Sequence, residues 1–65
     1  MLADKVSEVV GNCFEKHGFA GAQTEVIFDG EGNILSVNIN KVCVQAAEEA
    51  ADKLGLPVEI LHLTE

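Results

Sequence analysis

The chain reads as an α+β fold: a single small domain over residues 1–65, of order α-β-β-α-β, with a three-stranded mixed sheet and two helices on one face of it. Three observations predict this. Apolar residues recur at spacings of three and four from Leu2 to His17 and again from Cys43 to Leu54, the period of an amphipathic helix. The run Ile34-Leu35-Ser36-Val37-Asn38-Ile39-Asn40 alternates instead, the period of a strand buried on one side only. Ahead of it, Asp29-Gly30-Glu31-Gly32-Asn33 is a cluster of turn formers between two strand-like runs, which is how a hairpin is written.

The first segment, about Leu2 to His17, puts Leu2, Val6, Val9, Val10, Cys13, Phe14 and His17 on one stripe, with Asp4, Glu8, Asn12, Glu15 and Lys16 opposite. Gly18 is placed to end the helix in the left-handed conformation. Gly11, inside the helix, is unfavourable by about 1 kcal/mol relative to Ala and is read as a mark of close approach to another element. Phe19 is expected to tuck over the end of the core.

Strand one is predicted over about Ala22 to Phe28, with Thr24, Val26 and Phe28 on one face and Glu25 and Ile27 on the other. In the hairpin, both glycines and Asn33 are candidates for the positive φ that tight connections need. Strand two then presents Leu35, Val37 and Ile39 on its inner face and Ser36, Asn38 and Asn40 outward.

Asn40 is the expected N-cap of the second helix, its side chain free to accept from an unpaired backbone N–H, which puts Cys43 in the first turn. Cys43, Ala46, Ala47, Ala50, Ala51 and Leu54 form the apolar stripe, while Gln45, Glu48, Glu49 and Asp52 face out. Glu49 and Lys53 stand in the favourable i,i+4 order. Gly55 and Pro57 stop the helix. Pro57 to Leu63 is read as a strand, Val58 and Ile60 pointing one way and Leu61 and Leu63 the other.

That arrangement leaves one sheet face uncovered, carrying Ile27, Ile34, Leu61 and Leu63 among Glu25, Ser36, Asn38 and Glu59. Apolar residues grouped on such a face are the expected contact for a partner, either a second copy or a larger protein.

Composition narrows the functions. The net charge is −7, from 11 carboxylates against four Lys and no Arg. Nucleic-acid binding depends on clustered cations that neutralise phosphates, so no nucleic-acid partner is expected. No membrane partner is expected either: no apolar run approaches the roughly 20 residues a spanning helix needs. A cytoplasmic location follows as an expectation, with Cys13 and Cys43 as reduced thiols. A chain this short buries only about 60% of the surface its unfolded form exposes, so help from a partner subunit, metal or disulfide would be in keeping with its size.

Candidate chemistry is sparse. Cys13 and His17 are four apart on one helical stripe, a spacing that lets two side chains share a metal. Cys43 is placed at a helix start, where free N–H groups and the dipole favour a thiolate. Cys13, His17 and Cys43 are therefore the candidate metal ligands, against the plainer reading of buried thiols behaving as small hydrophobes. Asp29, Glu31 and Asn33 alternate like the start of a calcium loop but lack its flanking helices and distal Glu. Glu48, Glu49 and Asp52 lie outward, and His62 sits near the chain end. No Ser-His-Asp set, phosphate loop or CxxC is present. No catalytic residue is assigned, and no cofactor is expected.

The order helix, hairpin, cysteine at a helix start, helix, final strand resembles the C-terminal domain of the NifU-like iron–sulfur scaffold family. The resemblance is one of topology across most of the chain. That family places a CxxC between its second strand and second helix and bridges a cluster there in dimers. The matching stretch here is Asn40-Lys41-Val42-Cys43, with Asn at the first position, so only Cys43 carries over and two chains would offer two thiolates. Two readings follow: a non-enzymatic interaction module, self-associating or accessory to a larger protein, and a thiol-based metal, iron–sulfur or sulfur-handling protein using Cys43.

Overall fold

The computed structural model describes residues 2–65. Helix α1 spans Ala3–Lys16, strands β1 and β2 span Thr24–Phe28 and Ile34–Ile39, helix α2 spans Val44–Leu54, a 3-10 turn covers Val58–Ile60, and β3 is Leu61–Leu63. The sheet order is β1-β2-β3, antiparallel between β1 and β2 and parallel between β2 and β3. The α-β-β-α-β order and the mixed sheet are as the periodicities predict.

One core holds it together. Val6, Val10, Cys13 and Phe14 from α1 meet Ala46, Ala47, Ala50, Ala51 and Leu54 from α2, over Val37, Ile39 and Leu61 of the sheet. The strand residues in this core all belong to one face, since Val37 pairs with Leu61 and Ile39 with Leu63. Both helices therefore cover that face. The alanines give α2 a low-relief surface that approaches α1 closely, and Phe14 supplies the bulk between them.

Each helix ends on a left-handed glycine, Gly18 at φ +90° and Gly55 at φ +70°. After α1, the Phe19 N–H donates to the Phe14 carbonyl at 2.8 Å and the Gly18 N–H to the Glu15 carbonyl at 3.0 Å, the paired bonds of a Schellman ending. The apolar contact that accompanies such an ending is present too: the Phe14 and Phe19 rings meet edge to face, 6.4 Å between centroids. Leu56 and Gly55 repeat the pattern onto Ala51 and Asp52 at 3.0 and 3.2 Å.

Four local expectations are corrected. Among the described residues, Gly11 has nothing within 4 Å of where a Cβ would stand, so it marks no close approach to them. In the hairpin only Gly32 takes a positive φ, because Asp29 Oδ1 accepts from the Glu31 and Asn33 N–H groups at 2.8 and 2.9 Å and shapes the loop itself. Asn40 is not the cap of α2. Its Oδ1 accepts the Gln23 N–H at 2.7 Å while its own N–H donates to the Gln23 carbonyl at 3.3 Å, and the extended residue before α2 is Cys43. Pro57 to Leu63 is a strand only from Leu61, the preceding residues coiling into the 3-10 turn.

The third of these turns on hydrogen bonding: the Asn40 amide has a partner across the hairpin and so does not serve the helix. The Cys43 carbonyl accepts the Ala47 N–H at 3.0 Å and starts α2 without a side-chain cap.

Candidate functional site

The uncovered sheet face differs from its expected composition. Leu61 is 8% exposed, and Leu63 and Ile34 are half-buried against the core. Of Ile27, Ile34, Leu61 and Leu63, only Ile27 lies on the uncovered face, at 41% exposure. The reason is register. Along β1 and β2, Ile27 pairs with Ser36 but Phe28 pairs with Ile34, so Leu35 is an extra residue in a bulge. A bulge reverses the facing of what lies beyond it, turning Ile34 toward the core and leaving Leu35 exposed at 56%. At β3, the 3-10 turn resets the alternation, so Leu61 and Leu63 align with Val37 and Ile39 on the covered side.

What the open face does present is Glu25, Ile27, Ser36, Asn38 and His62. Asn38 Nδ2 donates to Glu25 Oε1 at 3.1 Å, a cross-strand pair in register. At the end of the sheet, Gln23, Thr24, Glu25, Asn38, Ile39, Asn40 and Thr64 line an open groove of about 240 Å³. Its walls combine amides, hydroxyls and one carboxylate with apolar surface that includes Ile39, a lining that suits hydrogen bonding rather than covalent chemistry.

The thiols fall in two places. Cys13 is 1% exposed beneath the helix pair, and burial pushes its thiol above the ordinary value, with the neighbouring Glu49 carboxylate adding to the rise. A buried, protonated thiol is a poor nucleophile and a poor ligand. Cys43 is half-buried and packs on the edge of the core.

His17 turns toward Glu49 of α2, with Nε2 3.9 Å from Oε1. Lys16 Nζ reaches the same oxygen at 3.0 Å, and this hydrogen bond, followed by the Cys13 contact, holds the Glu49 carboxyl below its ordinary range. Among the described residues, His17 Nε2 and Glu49 Oε2 find no hydrogen-bond partner.

The structure thus brings Cys13 and His17 beside Glu49 but leaves Cys43 out. Glu49 lies six residues into the chain from Cys43, about 9 Å along a helix axis, so the expected set of Cys13, His17 and Cys43 does not assemble at one point. Among the described residues, no group of three or more His, Cys, Asp or Glu side chains is placed to hold a metal ion. Of the hairpin carboxylates, Asp29 is committed elsewhere: its Oδ1 is turned into its own loop, and those backbone N–H bonds hold its carboxyl below the ordinary value.

Sequence reasoning missed Glu49, read as facing outward and paired with Lys53. The available signal was its place three residues beyond Ala46, on the border of the apolar stripe. It also missed the Asn40–Gln23 bond, for which a sequence gives no signal until the strand register is known. No helix among the described residues is long and apolar enough to cross a membrane. No family model matches the chain, and neither does any curated protein or solved structure.

Proposed function

We propose that this protein is a non-enzymatic interaction module that works by binding another protein, a second copy of itself or a larger partner to which it is accessory. The observation that carries the reading is the one-sided sheet: both helices cover one face, while Ile27 and Leu35 stay substantially exposed at its hairpin end. Large apolar side chains grouped outside the core suit a contact surface.

The test is a double substitution, Ile27→Lys with Leu35→Lys, measured by chemical denaturation and by sedimentation over a wide concentration range. Residues exposed for a partner should change stability by no more than about 0.5 kcal/mol, and any concentration-dependent association of the parent chain should be lost. A stability loss of about 2 kcal/mol or more would assign these side chains to the fold and overturn the reading.

A further inference from the structure

We infer that the free edge of β1 is a docking site for an extended, lysine- or arginine-bearing segment of a partner protein, which adds to the sheet as a fourth strand. The inference rests on the interaction-module reading and names its contact edge.

Two edges exist, because the sheet order is β1-β2-β3. That of β3 is three residues long and that of β1 is five. Hydrogen-bond phase decides what β1 offers. The Asn40 N–H donates to the Gln23 carbonyl, so Gln23, Glu25 and Ile27 occupy the positions bonded to β2. The Ile39 carbonyl points the other way, accepting from Thr64 of the β3 side at 2.8 Å, which agrees with that phase. In an antiparallel ladder the alternate residues then direct their N–H and C=O groups outward. On β1 these are Thr24 and Val26. A row of such groups is what strand addition uses.

Charge selects the occupant. From Gly18 to Asn40 the only charged side chains are Glu25, Asp29 and Glu31, with no Lys or Arg in that stretch. Glu25 projects from β1 on the open face, beside Ile27. A partner strand therefore gains by placing a cation beside Glu25 and apolar residues beside Val26 and Phe28, on the other face. A second copy of β1 fits worse, since antiparallel pairing through Thr24 and Val26 would set the two Glu25 carboxylates directly opposite each other.

The experiment is an NMR titration of the full chain with a capped Val-Lys-Val-Lys-Val peptide, and with the same peptide carrying Glu for Lys. Expected are shifts and slowed hydrogen exchange at the Thr24 and Val26 amides with the lysine peptide only. Binding should weaken as salt rises from about 0.1 to about 1 M, where the screening length falls from about 10 to about 3 Å. The Glu25→Lys variant, its fold checked by its own amide spectrum, should reverse the preference to the glutamate peptide.

Three results overturn the inference: no perturbation, perturbation confined to Leu61–Leu63, or equal response to both peptides. Protection of Thr24 and Val26 that appears with protein concentration alone assigns the edge to a second copy. That outcome also overturns the basic partner while leaving the interaction-module reading intact.

Discussion

Asn40 and Gln23 close the open end of the β1–β2 hairpin with two hydrogen bonds, one through the Asn40 side chain at 2.7 Å and one through its backbone N–H at 3.3 Å. The side-chain oxygen stands where a regular ladder would use the Asn40 carbonyl. This frees the chain to leave the sheet at Lys41 without leaving the Gln23 N–H unpaired. One residue therefore ends two strands.

Asn40→Ala should lower stability by about 1 kcal/mol, the net worth of an ordinary hydrogen bond. Asn40→Asp keeps the acceptor and should lose less. For a domain of this size such a loss corresponds to a melting shift of roughly 4–8 °C, readable by calorimetry. An Ala variant that melts with the parent would mean the pair does not hold the hairpin.

The two kinds of glycine should respond oppositely. Gly18→Ala forces a Cβ into a left-handed conformation and should destabilise by about 1–2 kcal/mol, although nothing crowds the site. Gly11→Ala, in the interior of α1 with open space around it, should stabilise by about 0.5–1 kcal/mol. Denaturant midpoints of the two variants check both signs at once.

Phe14 is fully buried between the helices. Phe14→Ala should cost about 3–5 kcal/mol, against a total of roughly 3–10 kcal/mol for a chain this long. The variant is expected to be largely unfolded by circular dichroism at 37 °C. Phe14→Leu retains most of the volume and should remain folded.

The cysteines should separate by reactivity. Cys43 is half-buried at the head of α2 and Cys13 is sealed in the core with its thiol pKa raised by burial. A colorimetric thiol titration of the native protein at neutral pH should release one equivalent promptly and the second only at the rate of unfolding. Prompt reaction of both thiols would show that the helix pair opens far more readily than its packing implies.

Acid should weaken the contact between the helices. The Glu49 carboxyl titrates below its ordinary value of 4.5 because Lys16 donates to it. A folded-state value below the unfolded one gives stability that is present above the unfolded value and lost as pH falls through the folded one. Glu49→Gln should flatten that part of the stability-versus-pH curve. Because Lys16 is largely solvent-exposed, the effect is expected to be small and to shrink further with salt.

The sequence by itself determined the element order, the apolar stripes of both helices and their glycine endings, because these follow from local periodicity and from backbone freedom at single residues. Val37 and Ile39 were legible as core for the same reason. Only the tertiary structure decided which way Ile34, Leu35, Leu61 and Leu63 face, since one bulge and one 3-10 turn each reset an alternation whose period is two. It also decided that Asn40 binds Gln23 rather than α2, and that Glu49, not Cys43, joins Cys13 and His17. Those are contacts between segments 17 to 36 positions apart, and no local pattern encodes the register that brings such segments together.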